Sequence, residues 1–147
     1  MIFDFQITPA SSTKLVIAEL HATPSFTFYL TGSRYLAQQG LRGVDDCADW
    51  DFFVDNTGGI CSYLRSLGFS RLTTPEVYQD VNTIWIYRNN QVVPWIDIQV
   101  VLNVNLKLQI QGLFAEVFAA ITSKELTKKL WNAIYALKGE VMVNGMG

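Results

Sequence analysis

A chain of 147 residues has room for one domain built round one core. Half of it is apolar, 13% is aromatic and only 16% is charged, which excludes an intrinsically disordered chain. Eleven basic against thirteen acidic residues leave a net charge of −2 and a pI near 5.3, so no global positive field draws the chain to long duplex nucleic acid.

The chain carries no repeat and no low-complexity stretch. Ser11 or Ser12 can cap a first helix whose apolar positions Leu15, Ile17, Ala18 and Leu20 run up to His21, and Thr23-Pro24 closes it. Residues 26–31 are aromatic and β-branched, read as a buried strand, and break at Gly32-Ser33 into a short helix through Tyr35-Leu36-Ala37. Residues 39–48 hold two glycines and two aspartates without a period and form a loop. A second strand follows over 49–55, then a helix over 57–67 that ends on Gly68 and a short strand over 69–72. Residues 81–87 and 92–101 form a hairpin, with Arg88-Asn89-Asn90-Gln91 as a tight turn because Asn tolerates positive φ. Two helices complete the chain, over 106–121 and 124–137, and the tail after Gly139 frays. The order predicts a single α/β (α+β) domain over 1–147. It has a mixed sheet of about five strands, a core over about 26–101, and C-terminal helices over about 103–138.

Cys47 and Cys61 are the only cysteines, too few for a disulfide scaffold and without zinc spacing, and they read as free thiols in a reducing compartment. Met1-Ile2-Phe3-Asp4 has no basic leader, and every apolar run is broken before the ~20 residues of a membrane span. The expectation is a soluble, cytoplasmic domain that folds alone or pairs with a second copy through an apolar face.

Three aspartates sit inside apolar strands, where an ionised carboxylate without a partner costs several kcal/mol. Asp49 and Asp51 flank Trp50, and a strand's period of two puts both acids on one face, with Trp50, Phe52 and Val54 on the other. Two negative charges roughly 6–7 Å apart repel unless a cation joins them. Asp97 is the third, with Ile96, Ile98 and Val100 on the face opposite it. If the two strands are neighbours the three carboxylates converge, and such hard oxygen donors suit Mg²⁺ shared with a substrate's phosphates. The alternative is that each acid is merely solvated or paired with a basic side chain. At the first turn, Gly32 allows close approach of the backbone, Ser33 offers a hydroxyl and free amides, and Arg34 offers a charged donor, a set suited to phosphate oxygens.

Gly32-Ser33 after an apolar strand, then Asp49-Trp50-Asp51-Phe52-Phe53-Val54, then the lone strand aspartate Asp97, together resemble the DNA-polymerase-beta-like nucleotidyltransferase superfamily over about residues 26–101. The Gly32-Ser33-Arg34-Tyr35 turn is similar to that of small single-domain members encoded by phages. The resemblance implies a nucleotidyltransferase-like sheet in which Gly32, Ser33 and Arg34 hold the triphosphate of a nucleoside triphosphate. It further implies that Asp49 and Asp51 ligate two Mg²⁺ (or Mn²⁺) ions, while Asp97 ligates the catalytic one and helps activate the acceptor hydroxyl. The acceptor can be a small molecule, a protein or the end of an RNA. The pattern departs from the family's in three ways: a longer Ser33-to-Asp49 gap, Ala48 where a serine is frequent, and Asp45-Asp46 as a second acidic pair in the loop.

Two other readings remain open at this stage. One is a nucleotidyltransferase fold without turnover, binding nucleotide or protein, with the long loop filling the cleft; the other is an unrelated interaction domain with solvent-facing acids. His21, the only histidine, lies at a helix C-terminus, where the dipole favours an imidazolium. Trp85, Tyr87 and Trp95 on the hairpin either stack a base or fill the core. Lys107, Lys124, Lys128 and Lys129 read as a solvated helix face, with contact to an RNA backbone as the alternative.

Overall fold

A computed structural model describes residues 9–72, 82–118 and 133. The elements are α1 (Pro9–Ala22), β1 (Tyr29–Thr31), α2 (Gly32–Gln38), β2 (Trp50–Asp55), α3 (Ile60–Ser66), β3 (Ser70–Arg71), β4 (Thr83–Asn89), β5 (Ile96–Val101) and α4 (Val104–Phe118). A single 3₁₀ turn, Val44–Asp46, lies in the loop before β2. The five strands form one mixed sheet in the order β1-β2-β5-β4-β3. Its centre is the parallel pair β2 and β5, and the other three pairings are antiparallel. This is an α+β fold, as composition and element order predict.

Alternation along the strands sorts side chains onto two faces, each covered by helices. Phe52, Val54, Ile96, Ile98, Val100 and Tyr87 pack with Leu20 of α1 and with Ile60 and Leu64 of α3. Phe53 and Val101 pack on the opposite face with Leu36 of α2 and with Val104, Leu106 and Ile110 of α4. The expected split of Trp50, Phe52 and Val54 from Asp51 is therefore what the sheet displays.

Several boundaries differ from expectation for local reasons. β1 is only three residues because its ladder with β2 runs from Tyr29 to Thr31, although Phe28 before it is buried. α2 begins at Gly32 itself, directly after the strand. α3 begins at Ile60, three residues late, because Gly59 at φ +86° interrupts helical geometry. It ends as expected: the Gly68 and Phe69 amides donate to the carbonyls of Arg65 and Leu64, with Gly68 left-handed.

The hairpin turn is not at 88–91. Arg88 and Asn89 stay in β4, paired with Asp97 and Ile96, and the connection runs over 90–95 with the Gln91 amide on the Asn89 side chain. Pro94 in that connection has no amide to continue a ladder.

α4 is opened by Asp55 at the end of β2, whose carboxylate accepts the Val104 amide at 2.8 Å, and by Asn103, which accepts the Leu106 amide at 3.1 Å. The final helix expected over 124–137 lies outside the described residues except for helical Ala133. No helix among the described residues is long and apolar enough to cross a membrane.

Candidate functional site

The ladders bring the acids of two sequence-distant segments together. Asp51 is the register partner of Asp97 across the parallel pair, and on the outer sides Asp51 faces Thr31 and Asp97 faces Arg88, which in turn faces Ser70. Directly opposed residues share a face, so Thr31, Asp51, Asp97, Arg88 and Ser70 make one polar row across all five strands. Asp51 and Asp97 are only 6% and 3% exposed, so neither is a solvated surface acid, and the reading that needed solvent-facing acids does not hold for them.

Burial of two carboxylates demands compensation. Arg88 supplies it to Asp97 as a two-pronged fork, Nε to Oδ1 at 2.8 Å and Nη2 to Oδ2 at 3.0 Å. The Arg88 side chain is itself 23% exposed. At the other end of the row the Thr31 hydroxyl donates to Oε1 of Gln111, whose Nε2 donates to the Leu30 carbonyl at 3.2 Å. Gln111 thereby ties α4 to β1 beside Asp51.

Gly32 leaves β1 directly after Thr31, with φ at +70°. A Cβ built on it would stand 2.5 Å from Oδ2 of Asp51 and 3.1 Å from the Asp51 Cβ. The turn and the carboxylate are in contact because no side chain intervenes, and both the dihedral and the space require glycine. Ser33 follows, half-buried in the first turn of α2. Arg34 is directed away from the row: Nε donates to the Asp49 carbonyl at 3.2 Å, Nη2 donates to the Ala48 carbonyl at 3.0 Å, and the guanidinium lies 4.2 Å from the Trp50 ring centre.

Asp49 sits one residue before β2, half-buried, so it precedes the ladder that fixes Asp51. Among the described residues no group of three His, Cys, Asp or Glu side chains is close enough to share an ion. The row offers two hard carboxylates in register, the donor type that suits Mg²⁺, with both oxygens of Asp97 accepting from Arg88. The loop over 39–48 packs Leu41 against the cluster on this face and exposes Val44, at 68%.

Two residues of this face escape sequence reasoning. Arg88, expected in a turn, is the partner of Asp97. Lys107, expected on a solvated helix face, is 1% exposed on the inner side of α4, with Nζ 5.4 Å from the Phe53 ring centre. Its spacing from Val104 and Gln111, three and four residues away along the buried stripe, is the available signal. Lys124, Lys128 and Lys129 lie outside the described residues. His21 is exposed in the last turn of α1, with its ring edge-on to Phe52 at 5.8 Å. Both cysteines are free thiols. No protein-family model, curated protein or solved structure matches the chain.

Proposed function

We propose that this domain transfers a nucleoside monophosphate from a nucleoside triphosphate to a hydroxyl acceptor, with Mg²⁺ or Mn²⁺ bound at Asp51 and Asp97. The observation that carries the reading is the contact of the Gly32 turn with Asp51, in the same row as Asp97. The meeting of three segments separated in the chain supports the phosphate-holding turn and two of the three acidic ligands that the resemblance implies.

In this reading Gly32 and Ser33 cradle the terminal phosphates, and Asp51 and Asp97 hold the cation, with Asp49 at the mouth of the row. A divalent ion held there would neutralise charge on the phosphates and lower the pKa of the attacking hydroxyl. That oxygen bonds to the α-phosphorus, its proton passes to a carboxylate or water, and the bond to the bridging oxygen breaks to release pyrophosphate. The acceptor is a small molecule, a protein or an RNA end.

The Arg88 fork supports a second reading, a module that binds nucleotide without turnover, because both oxygens of Asp97 already accept from a guanidinium. Incubation with each α-labelled nucleoside triphosphate and Mg²⁺ or Mn²⁺ separates the two. Turnover predicts label transfer and pyrophosphate release, both falling at least about 100-fold in Asp51→Asn and Asp97→Asn, the scale of several kcal/mol of lost charge stabilisation. Nucleotide binding without pyrophosphate release selects the second reading, and label transfer unchanged in both variants removes the site.

A further inference from the structure

We infer that Trp95 is the stacking platform for the base of the bound nucleotide, an inference that rests on the nucleotide reading above and specifies where the base lies. The three hairpin aromatics occupy different settings. Tyr87 is fully buried in the cluster beneath α1 and α3. Trp85 is 39% exposed but pairs in register with Val100, on the face opposite the acids, with the Arg71 guanidinium 4.2 Å from its ring centre. Trp95 is equally exposed and precedes Asp97 by two residues, a spacing that returns to the same face of an extended chain.

Arg88 confirms that placement. The guanidinium that grips both oxygens of Asp97 also lies 5.0 Å from the centre of the Trp95 ring. A cation over one face of the indole and a backbone anchor, the Trp50 amide donating to the Trp95 carbonyl at 2.9 Å, hold the residue beside the acidic row and leave the other face for a base. An indole held in place and open to solvent presents a π-face, and every nucleobase has one to match.

The order of groups on the sheet suits an elongated ligand. Trp95 leads into β5, β2 with Asp51 is the next strand, and the Gly32 turn follows β1 on the far side of β2. The distance from β5 to β1 is two strand spacings, about 10 Å. A base on Trp95 therefore leaves its α-phosphate over Asp97 and Asp51 and its terminal phosphates toward Ser33. Stacking of this kind tolerates every base.

Calorimetric titration of the wild type, Trp95→Ala, Trp95→Phe and Trp85→Ala tests this, each with nucleoside triphosphate plus Mg²⁺ and, separately, inorganic tripolyphosphate plus Mg²⁺. Trp95→Ala should weaken nucleoside triphosphate about 10- to 100-fold, the affinity one stacked base contributes, and leave tripolyphosphate unchanged. Trp95→Phe should recover most of the loss, and Trp85→Ala should match the wild type. Unchanged nucleotide affinity in Trp95→Ala, or an equal loss for tripolyphosphate, overturns the role of Trp95 while the phosphate site stands. A wild type that binds neither ligand overturns the nucleotide reading and this inference together.

Discussion

The two faces of the sheet are made by the same strands, yet they are furnished differently. Toward α1 and α3, β2 and β5 present Phe52, Val54, Ile96, Ile98 and Val100, an unbroken apolar surface. Toward α2 and α4 they present Asp51, Phe53, Asp97, Gln99 and Val101, among which α4 lays Lys107 and Gln111. Apolar burial stabilises at roughly 25 cal/mol per Å², whereas each buried charge must first recover its desolvation cost through a partner. The comparison teaches that folding energy is concentrated on one face, while the other spends part of its burial on polar groups held in a fixed geometry, the pattern expected where chemistry rather than packing dictates the residues.

The largest effect should come from the apolar face. Phe52→Ala removes a ring that is 1% exposed, and about 3–5 kcal/mol of unfolding free energy should disappear in a urea titration. If the loss is below about 1 kcal/mol, the two faces are not unequal in the way described.

The polar row sharpens the contrast. Arg88→Met strips the fork from a buried carboxylate and should cost about 2 kcal/mol, less than for a wholly buried pair because water reaches Arg88. Adding Asp97→Leu should restore stability to within about 1 kcal/mol of the wild type, since a buried ion pair and an apolar pair are nearly equivalent energetically. A double variant as unstable as Arg88→Met alone would mean that the row supports the fold and not merely the site.

The smallest effect tests an imperfection in the apolar face. The Tyr87 hydroxyl is buried with no hydrogen-bond partner among the described residues, so Tyr87→Phe should be neutral or stabilise by up to about 1 kcal/mol. Burial, then the neighbouring Cys61 thiol, raise the Tyr87 pKa above its usual 10.0, against the lowering influence of Arg65 and Arg71. Because the folded state holds the phenolic proton more tightly than the unfolded chain, stability is intact below pH 10 and falls as the pH rises past it. Tyr87→Phe should flatten that fall between pH 9 and 11 in chemical denaturation. A residual slope should remain from Tyr63, whose pKa burial and the charge of Glu19 also raise. A slope identical to the wild type would show that Tyr87 titrates as it does in the unfolded chain.

Much of this plan is written in the sequence, and the gaps have physical causes. Alternation in Trp50-Asp51-Phe52 assigns faces without a partner strand, because period two is a property of one strand alone. Gly32-Ser33 after an apolar run marks its own turn. Which strand lies beside β2 is a long-range property, so the pairing of Asp51 with Asp97 could be stated only conditionally. Arg88 was illegible for the same reason: Asn89-Asn90 is a strong local turn signal, and it loses to a pair of hydrogen bonds on Asp97. Lys107 was illegible because lysine is rarely buried, and only the neighbouring stripe of α4 places it inside.

The grip of Arg34 on the backbone of Ala48 and Asp49 has one more consequence. It staples the start of α2 to the start of β2 across fourteen to fifteen positions of chain, and within that span Leu36 and Leu41 pack inward while Val44 stays exposed. Loop-closure entropy grows only logarithmically with length. Residues inserted into or trimmed from the exposed stretch around Val44 should therefore leave the contact of Gly32 with Asp51 in place.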